Sequence, residues 1–269
     1  SSYSKNNGAY YKKCLQTIPS IKMSKHIPKK RWGQNFLVDS NIINKIISSI
    51  DIKPSDSILE IGPGKGAITT LLAEKVKKIT AIEIDTNLCK ALENKNIPNL
   101  KIINNDILKT DLSKINSNII VGNLPYYITT PILFKIFKST LNWEKIYFTM
   151  QKEVGDRITG KPNTKSYGRL TIMSQVFSNT KILFNISPQV FRPIPKVESS
   201  FIEFSKNTAF KINDYTKFEE IIRKIFNQRR KKFKNCITPD MNLNLSKKME
   251  LLNKRPEQIT IQEYIDLIN

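Results

Sequence analysis

The stretch SILEIGPGKGAITTLLAEKVKK, from Ser57, begins as a short apolar run, turns through Gly62, Gly64 and Gly66, and continues with Ile68, Leu71, Leu72 and Val76 at helical spacing. A strand that turns at once into a helix has to return along the face of its own sheet, which makes a right-handed β-α-β unit. The pattern then repeats. KITAIEID reads as a second strand with TNLCKALEN as its helix, LKIINNDIL as a third, and NIIVGNLPYYITTPILFKIF as a fourth strand running into a helix. KIYFTMQK, KILFNI and SSFIEF add further strands. Upstream, Asp39 and Ser40 are good helix caps for Ile42, Ile43, Ile46, Ile47 and Ile50, and Pro54 ends that pattern. Such alternation predicts an α/β protein with a mostly parallel, Rossmann-like sheet covered on both faces. In these sheets ligands bind outside the carboxyl ends of the strands.

After SSFIEF the character changes. TKFEEIIRKIFNQRRKKFKN places Phe218, Ile221, Ile222, Ile225 and Phe226 on one helical face and ends in Arg229, Arg230, Lys231, Lys232 and Lys234. The remainder also reads as helical, with apolar pairs at Leu251–Leu252 and Ile265–Leu267–Ile268. The organisation expected is a basic N-terminal extension (1–27), a Rossmann-like domain (28–206) and a small helical RNA-binding domain (207–269).

A net charge of +21 bears on what such a chain meets. An excess of this size repels itself in the folded state and marks a polyanion-binding surface; codon bias toward Lys, Asn and Ile is the competing source. Three scattered cysteines, Cys14, Cys89 and Cys236, argue against a disulfide framework and suit a reducing compartment. The single histidine, His26, excludes a His-rich metal cluster, and its place in the basic N-terminal stretch argues against a His-based triad. No apolar run approaches the ~20 residues of a membrane helix. The first 38 residues hold eight Lys or Arg and no acid, the composition of an organelle transit segment or of an arm that grips RNA. An organelle, plastid-type or mitochondrial, is the expected location, with a bacterial cytoplasm as the alternative.

The chemistry-bearing residues collect at strand ends. Gly62, Gly64 and Gly66 let the chain turn tightly and let a ligand approach the backbone. Their spacing is neither G-x-G-x-x-G nor a P-loop. Glu83 ends the second strand about 20 residues on, where an acid can accept both ribose hydroxyls of a nucleoside. Asp106 follows the third strand, where it can accept from an adenine amino group. Together these describe an adenosyl ligand with no pyrophosphate, and S-adenosylmethionine fits. In GNLPYYI at the fourth strand's end, the Asn123 side-chain oxygen and the Leu124 carbonyl can accept from an exocyclic adenine amine, whose lone pair is otherwise delocalised into the ring. Pro125 fixes the turn, and Tyr126 offers a stacking face worth ~1–3 kcal/mol per base.

KKRWGQNFL, EIGPGKGAIT, AIEID, NND, GNLPY, QKEVGDRI, KSYGRL, FRPIPKVESSF and FNQRRKKFKN occur in that order. From about residue 28 onward the chain resembles the KsgA family of small-subunit ribosomal RNA adenine dimethyltransferases. The resemblance implies N6,N6-dimethylation of two adjacent adenosines in the loop of the rRNA 3′-terminal hairpin, by four transfers from S-adenosylmethionine, by a monomer with a part in ribosome biogenesis. Carried over, it implies that Asn35 and Leu37 help enclose the cofactor and that Gly62, Glu83, Asp106 and Asn123 contact it. Gln34, Gly64, Gly66, Ile84 and Ile107, beside those positions, complete the cofactor set. Tyr126 and Phe191 are expected to sandwich the flipped adenine; without the resemblance, Phe191 reads as a core residue. Arg192 and Lys196 join Arg229–Lys234 as the expected RNA contacts, for which a solvated helix face is the plainer alternative. Tyr127 stands where bacterial members often have Asn or Gln, Trp32 replaces a usual Phe and Glu198 a usual Asp.

Two rivals remain at this point. An Erm-type enzyme acting on large-subunit rRNA shares the cofactor strands and the N-L-P-[YF] motif, but QKEVGDRI, KSYGRL and FNQRRKK follow the KsgA pattern. A non-catalytic RNA-binding or transcription-factor-like relative would not need Glu83, Asp106, Asn123 and Tyr126 intact.

Overall fold

The computed structural model describes residues 34–246 and 248–269. Of the N-terminal stretch read as a transit segment or RNA-gripping arm, residues 1–33, with Cys14, His26 and Trp32, lie outside the described residues.

Strand β1 (Phe36–Leu37) leads into α1 (Ser40–Ser49), where the Asp39 carboxylate accepts the Ile42 N–H at 3.0 Å and satisfies one of the amides a helix start leaves open. Strands β2 (Ser57–Ile61), β3 (Lys78–Glu83) and β4 (Leu100–Asn104) alternate with α2 (Thr69–Ala73) and α3 (Thr86–Glu93). Then come β5 (Ile119–Asn123), α4 (Thr129–Phe137), β6 (Lys145–Gln151), α5 (Lys152–Ile158), α6 (Arg169–Phe177), β7 (Ser178–Ile186), β8 (Phe191–Arg192) and β9 (Ser199–Lys206). The main sheet has the order β4-β3-β2-β5-β6-β9-β7. From β4 through β6 the pairing is parallel, while β9 lies antiparallel between β6 and β7. A separate ribbon joins β1 to β8, with Phe36 opposite Arg192 and Leu37 opposite Phe191.

The chain runs outward from β2 to β4 and then crosses back to β5 on the other side of β2. The reversal leaves a crevice at the carboxyl ends of β2 and β5. Strand alternation supplies both faces. Leu59, Ile61, Ile120, Phe148 and Met150 pack under α4 and α5, whereas Ile58, Ile119, Val121 and Tyr147 pack under α1 and α2. Helix α2 is shorter than its spacing suggests, because the turn leaving the glycine loop persists to Ile68. Ile68 and Val76 flank the helix but are buried all the same.

Beyond β9, α7 (Tyr215–Phe226) and α8 (Ile261–Ile268) close a third cluster. The chain between them is a series of short 3₁₀ turns, not the helical remainder expected. Pro239 and Pro256 each open such a turn and Asn242 is left-handed (φ 46°), so no α-helix propagates there. Helix α6 contributes Ile172, Met173 and Val176 to this cluster. Its Phe177 stacks on Phe137 of α4 (centroids 5.0 Å) and on Tyr215 of α7 (4.9 Å), so one aromatic column joins the sheet layer to the C-terminal helices.

Gly122 lies opposite Ile61 on β2 and Phe148 on β6, and a Cβ there would meet the Ile61 carbonyl oxygen at 2.9 Å. Gly122→Ala is expected to push β2 and β5 apart and to cost about 1–3 kcal/mol. Urea denaturation checks this; a variant as stable as the parent would mean that the strands yield freely at that point.

Candidate active site

The crevice is a cavity of about 360 Å³ lined by residues from every strand end that the sequence singled out. Gln34, Asn35 and Leu37 contribute from the N-terminal arm, Gly62 and Gly64 from the turn after β2, and Glu83 and Ile84 from β3. Asp106 and Ile107 follow β4, and Asn123, Leu124, Pro125, Tyr126 and Tyr127 leave β5. Phe36, between two of the arm residues, rests its ring on Gly64, where a Cβ would stand 3.0 Å from the ring. Pairing of β1 with β8, extended by Val38 N–H to Val190 O (2.9 Å), holds the arm across the glycine loop.

Glu83 is tied from two sides. One oxygen accepts the Gly64 N–H at 3.2 Å and the other the Asp85 N–H at 2.9 Å, so the acid joins the glycine loop to the start of α3. Its pKa is raised by burial, against which these backbone hydrogen bonds act. Asp106 accepts the Leu108 N–H at 2.8 Å and so braces its own turn.

Glu60, one residue before the end of β2, was not read as a site residue. It is 3% exposed, lines the cavity, and its Oε2 has no hydrogen-bond partner among the described residues. Burial pushes its pKa up to about 7; the Glu83 charge adds to this, and the Thr69 hydroxyl and Lys95 oppose it. An acid interrupting the apolar run SILEI was the available sequence signal. A cavity with buried acids, one with an unsatisfied oxygen, beside a glycine turn at φ +68° and the apolar Ile84 and Ile107 suits a nucleoside carrying a cationic tail.

On the acceptor side, Asn123 donates its amide N–H to the Asn35 carbonyl at 2.9 Å, and this orients the group. The Leu124 side chain is buried in the core under α4. Ile128 N–H and the Thr129 hydroxyl both donate to the Pro125 carbonyl, which closes the turn. Tyr126 is half-buried, with its hydroxyl 2.7 Å from Ser199 Oγ on β9, while Tyr127 is 59% exposed.

Three expectations need correction. Phe191 does not line the cavity: it is fully buried, sits in the cluster under α1, and faces Leu37 across the β1–β8 ribbon. Gly66 does not line it either. A Cβ there would strike Leu92 Cδ1 at 2.6 Å, so this glycine serves the packing of the loop on α3. Arg229 is committed to the fold: its guanidinium donates to the Glu257 carboxylate (2.5 Å) and to the Thr164 and Lys165 carbonyls (3.2 and 2.7 Å), anchoring the loop before α6. Arg192 donates to the Gln189 and Phe191 carbonyls. Lys196, Arg230, Lys231, Lys232 and Lys234 are exposed and make no ion pair among the described residues.

A Rossmann-like sheet with a glycine turn, acids at successive strand ends and an oriented N-L-P-Y amide defines an S-adenosylmethionine-dependent methyltransferase. The profile of the ribosomal RNA adenine dimethylase family matches residues 25–269. The chain belongs to that family. It is 38% identical over 264 residues to the ribosomal RNA small subunit methyltransferase A of Bacillus mycoides, covering 90% of each protein, and equally so to that of Bacillus anthracis. A dimethyladenosine transferase from Plasmodium falciparum shares its fold with a TM-score of 0.78 at 22% identity, over 86% of this chain and 95% of that one. The 23S rRNA methyltransferase ErmE does so with 0.68 at 24% identity, over 87% and 99%.

In the ligand-free protein Glu60 titrates near 7, against an ordinary glutamate value of 4.5. Between these values the folded state holds a proton that the unfolded chain has lost. This stabilising contribution is full below 4.5 and is lost as the pH rises through 7. Glu60→Gln is expected to abolish that slope, gaining about 1–3 kcal/mol over wild type near pH 8 and little near the ordinary glutamate value. Urea unfolding of both proteins at the two pH values tests this. A stability difference independent of pH would show that Glu60 does not titrate there.

Proposed function

We propose that this protein transfers methyl groups from S-adenosylmethionine to N6 of two adjacent adenosines in the 3′-terminal hairpin loop of small-subunit rRNA. The observation that carries the proposal is the oriented Asn123 amide, which shares one cavity with Tyr126, the glycine turn and Glu83. The ErmE likeness is one of fold, whereas 38% identity over nearly the whole chain favours the small-subunit substrate over the large-subunit one.

Glu83 would hold the ribose hydroxyls, Asp106 the adenine amine, and the glycine turn with Glu60 the amino-acid tail. The cofactor, when bound, supplies an electrophilic methyl on a sulfonium. The protein's task is to present the acceptor nitrogen in line with that methyl. With its N–H given to the Asn35 carbonyl, Asn123 has its amide oxygen left as an acceptor for the adenine N6–H, and the Leu124 carbonyl stands next to it. Two acceptors drawing on the amine favour its pyramidal form, in which the lone pair is released from the ring. Tyr126 stacks on the base and Pro125 stiffens the turn that carries both. Catalysis here is positioning and local polarity, with no strong base required. The exposed basic side chains around residues 230–234 would meet rRNA phosphates.

Labelled S-adenosylmethionine, offered to small-subunit particles lacking the modification and to large-subunit particles alongside, tests the substrate. Mass spectrometry should find two adjacent dimethyladenosines near the small-subunit 3′ end; label confined to the large subunit would overturn the proposal. Asn123→Ala is expected to lower the single-turnover rate by about 10²-fold or more, with a smaller effect on cofactor affinity by calorimetry. An unchanged rate would remove the amide from the mechanism. Replacing Arg230 and Lys231 by Ala should weaken RNA binding with a salt slope shallower by about 1–2, leaving cofactor affinity alone. Identical slopes would place the phosphate contacts elsewhere.

A further inference from the structure

Phe191 is buried away from the cavity, and Phe36, which lines it, lies on the glycine loop at Gly64; Tyr126, half-buried beside Asn123, is the aromatic on the acceptor side that can stack on a base. Its backbone is fixed by the turn bonds to the Pro125 carbonyl. Those bonds leave the direction of the ring open. A residue 73 positions away supplies the tie: the 2.7 Å hydrogen bond between the phenol and Ser199 Oγ, at the usual length for two hydroxyls, fixes where the far end of the ring lies, and because a phenolic O–H prefers the ring plane it also favours one plane.

We infer that Ser199 is a positioning residue for methyl transfer: its hydroxyl holds the Tyr126 phenol and thereby fixes the face on which the acceptor adenine stacks. The inference rests on the base-stacking role given to Tyr126 above. Ser199 is well suited to the task. It is fully buried and opens β9, and its backbone stands in register with Gln151 on β6 and Ile186 on β7. A serine held between two strands is a rigid anchor, whereas the N-L-P-Y turn it reaches is a loop. With its hydroxyl engaged by Ser199 on β9, Tyr126 offers its ring face to a base. Burial also raises the phenol's pKa, which keeps the hydroxyl neutral and able to donate or accept. The arrangement matches that of Asn123, whose amide is oriented by the Asn35 carbonyl: each group that handles the acceptor is held from a distant part of the chain.

Four full-length proteins test this: wild type, Tyr126→Phe, Ser199→Ala and the double variant. Each is assayed for single-turnover transfer to unmodified small-subunit particles, for cofactor affinity by calorimetry, and for thermal unfolding. Each single change is expected to lower kcat/KM for RNA by about 3- to 10-fold, the worth of one neutral hydrogen bond. The double variant should be no slower than the slower single one, because both remove the same bond. Cofactor affinity should stay within about twofold, since neither residue has a role in cofactor binding. If the effects of the two single changes multiply in the double, Ser199 acts by some route other than Tyr126 and the inference fails. Should Ser199→Ala fold poorly, Tyr126→Phe alone decides, because loss of the phenol removes the tether while sparing the buried strand. A Tyr126→Phe protein as fast as wild type overturns the inference while leaving the substrate reading intact. A wild-type chain that transfers nothing to small-subunit RNA overturns the substrate reading, and the inference falls with it.

Discussion

Because β2 pairs in parallel with β3 on one side and with β5 on the other, the segments leaving these strands diverge, and a cavity opens between their carboxyl ends. Every other feature of the site is placed by that divergence. The glycine turn leaves β2 and must fold back within the gap, and Glu83 at the end of β3 reaches sideways to bind it. Asn123 ends β5 on the opposite bank. The close approach of β2 and β5 at Gly122 keeps the two banks at a distance that one ligand can bridge. An α/β sheet without this reversal would offer the same residues in a row, with no crevice to gather them.

Charge is distributed in opposite senses inside and outside. A chain of net charge +21 buries Glu60 and Glu83 next to its cavity. Both carboxyls are pushed upward by burial, and among the described residues neither has a buried cation as a hydrogen-bond partner. Such a site is short of positive charge and suited to a ligand that brings its own. The basic exterior has the complementary deficit, and a polyanion relieves it. The acidic crevice thus suits a cationic ligand and the basic exterior a polyanion, so the two would not compete.

Rigidity reaches the site through long-range ties. The β1–β8 ribbon pins the arm over the glycine loop, and the same arm, through Asn35, orients the Asn123 amide. The stack of Phe137, Phe177 and Tyr215 ties the helix that follows the N-L-P-Y turn to the C-terminal helices. Arg229 ties the loop before α6 to Glu257. A basic side chain that the sequence offers for RNA is here an internal strut, while its neighbours Arg230 to Lys232 stay exposed.

What the sequence by itself determined was everything that depends on short-range pattern. The short apolar runs located the strands of the main sheet, the glycine turn and Asp39 marked helix starts, and the acids and the N-L-P-Y amide fell at strand ends where a parallel sheet collects ligands. These signals are local because strand pleat, helix repeat and turn geometry are properties of adjacent residues. Tertiary structure alone decided the rest. Whether Phe191 faces a base or the core, whether Gly66 meets a ligand or Leu92, and whether Arg229 is free or bonded all turn on neighbours distant in the chain. So do the proton affinity of Glu60 and the bond from Ser199 to Tyr126: burial and partnership are set by packing, and no pattern confined to neighbouring residues encodes them.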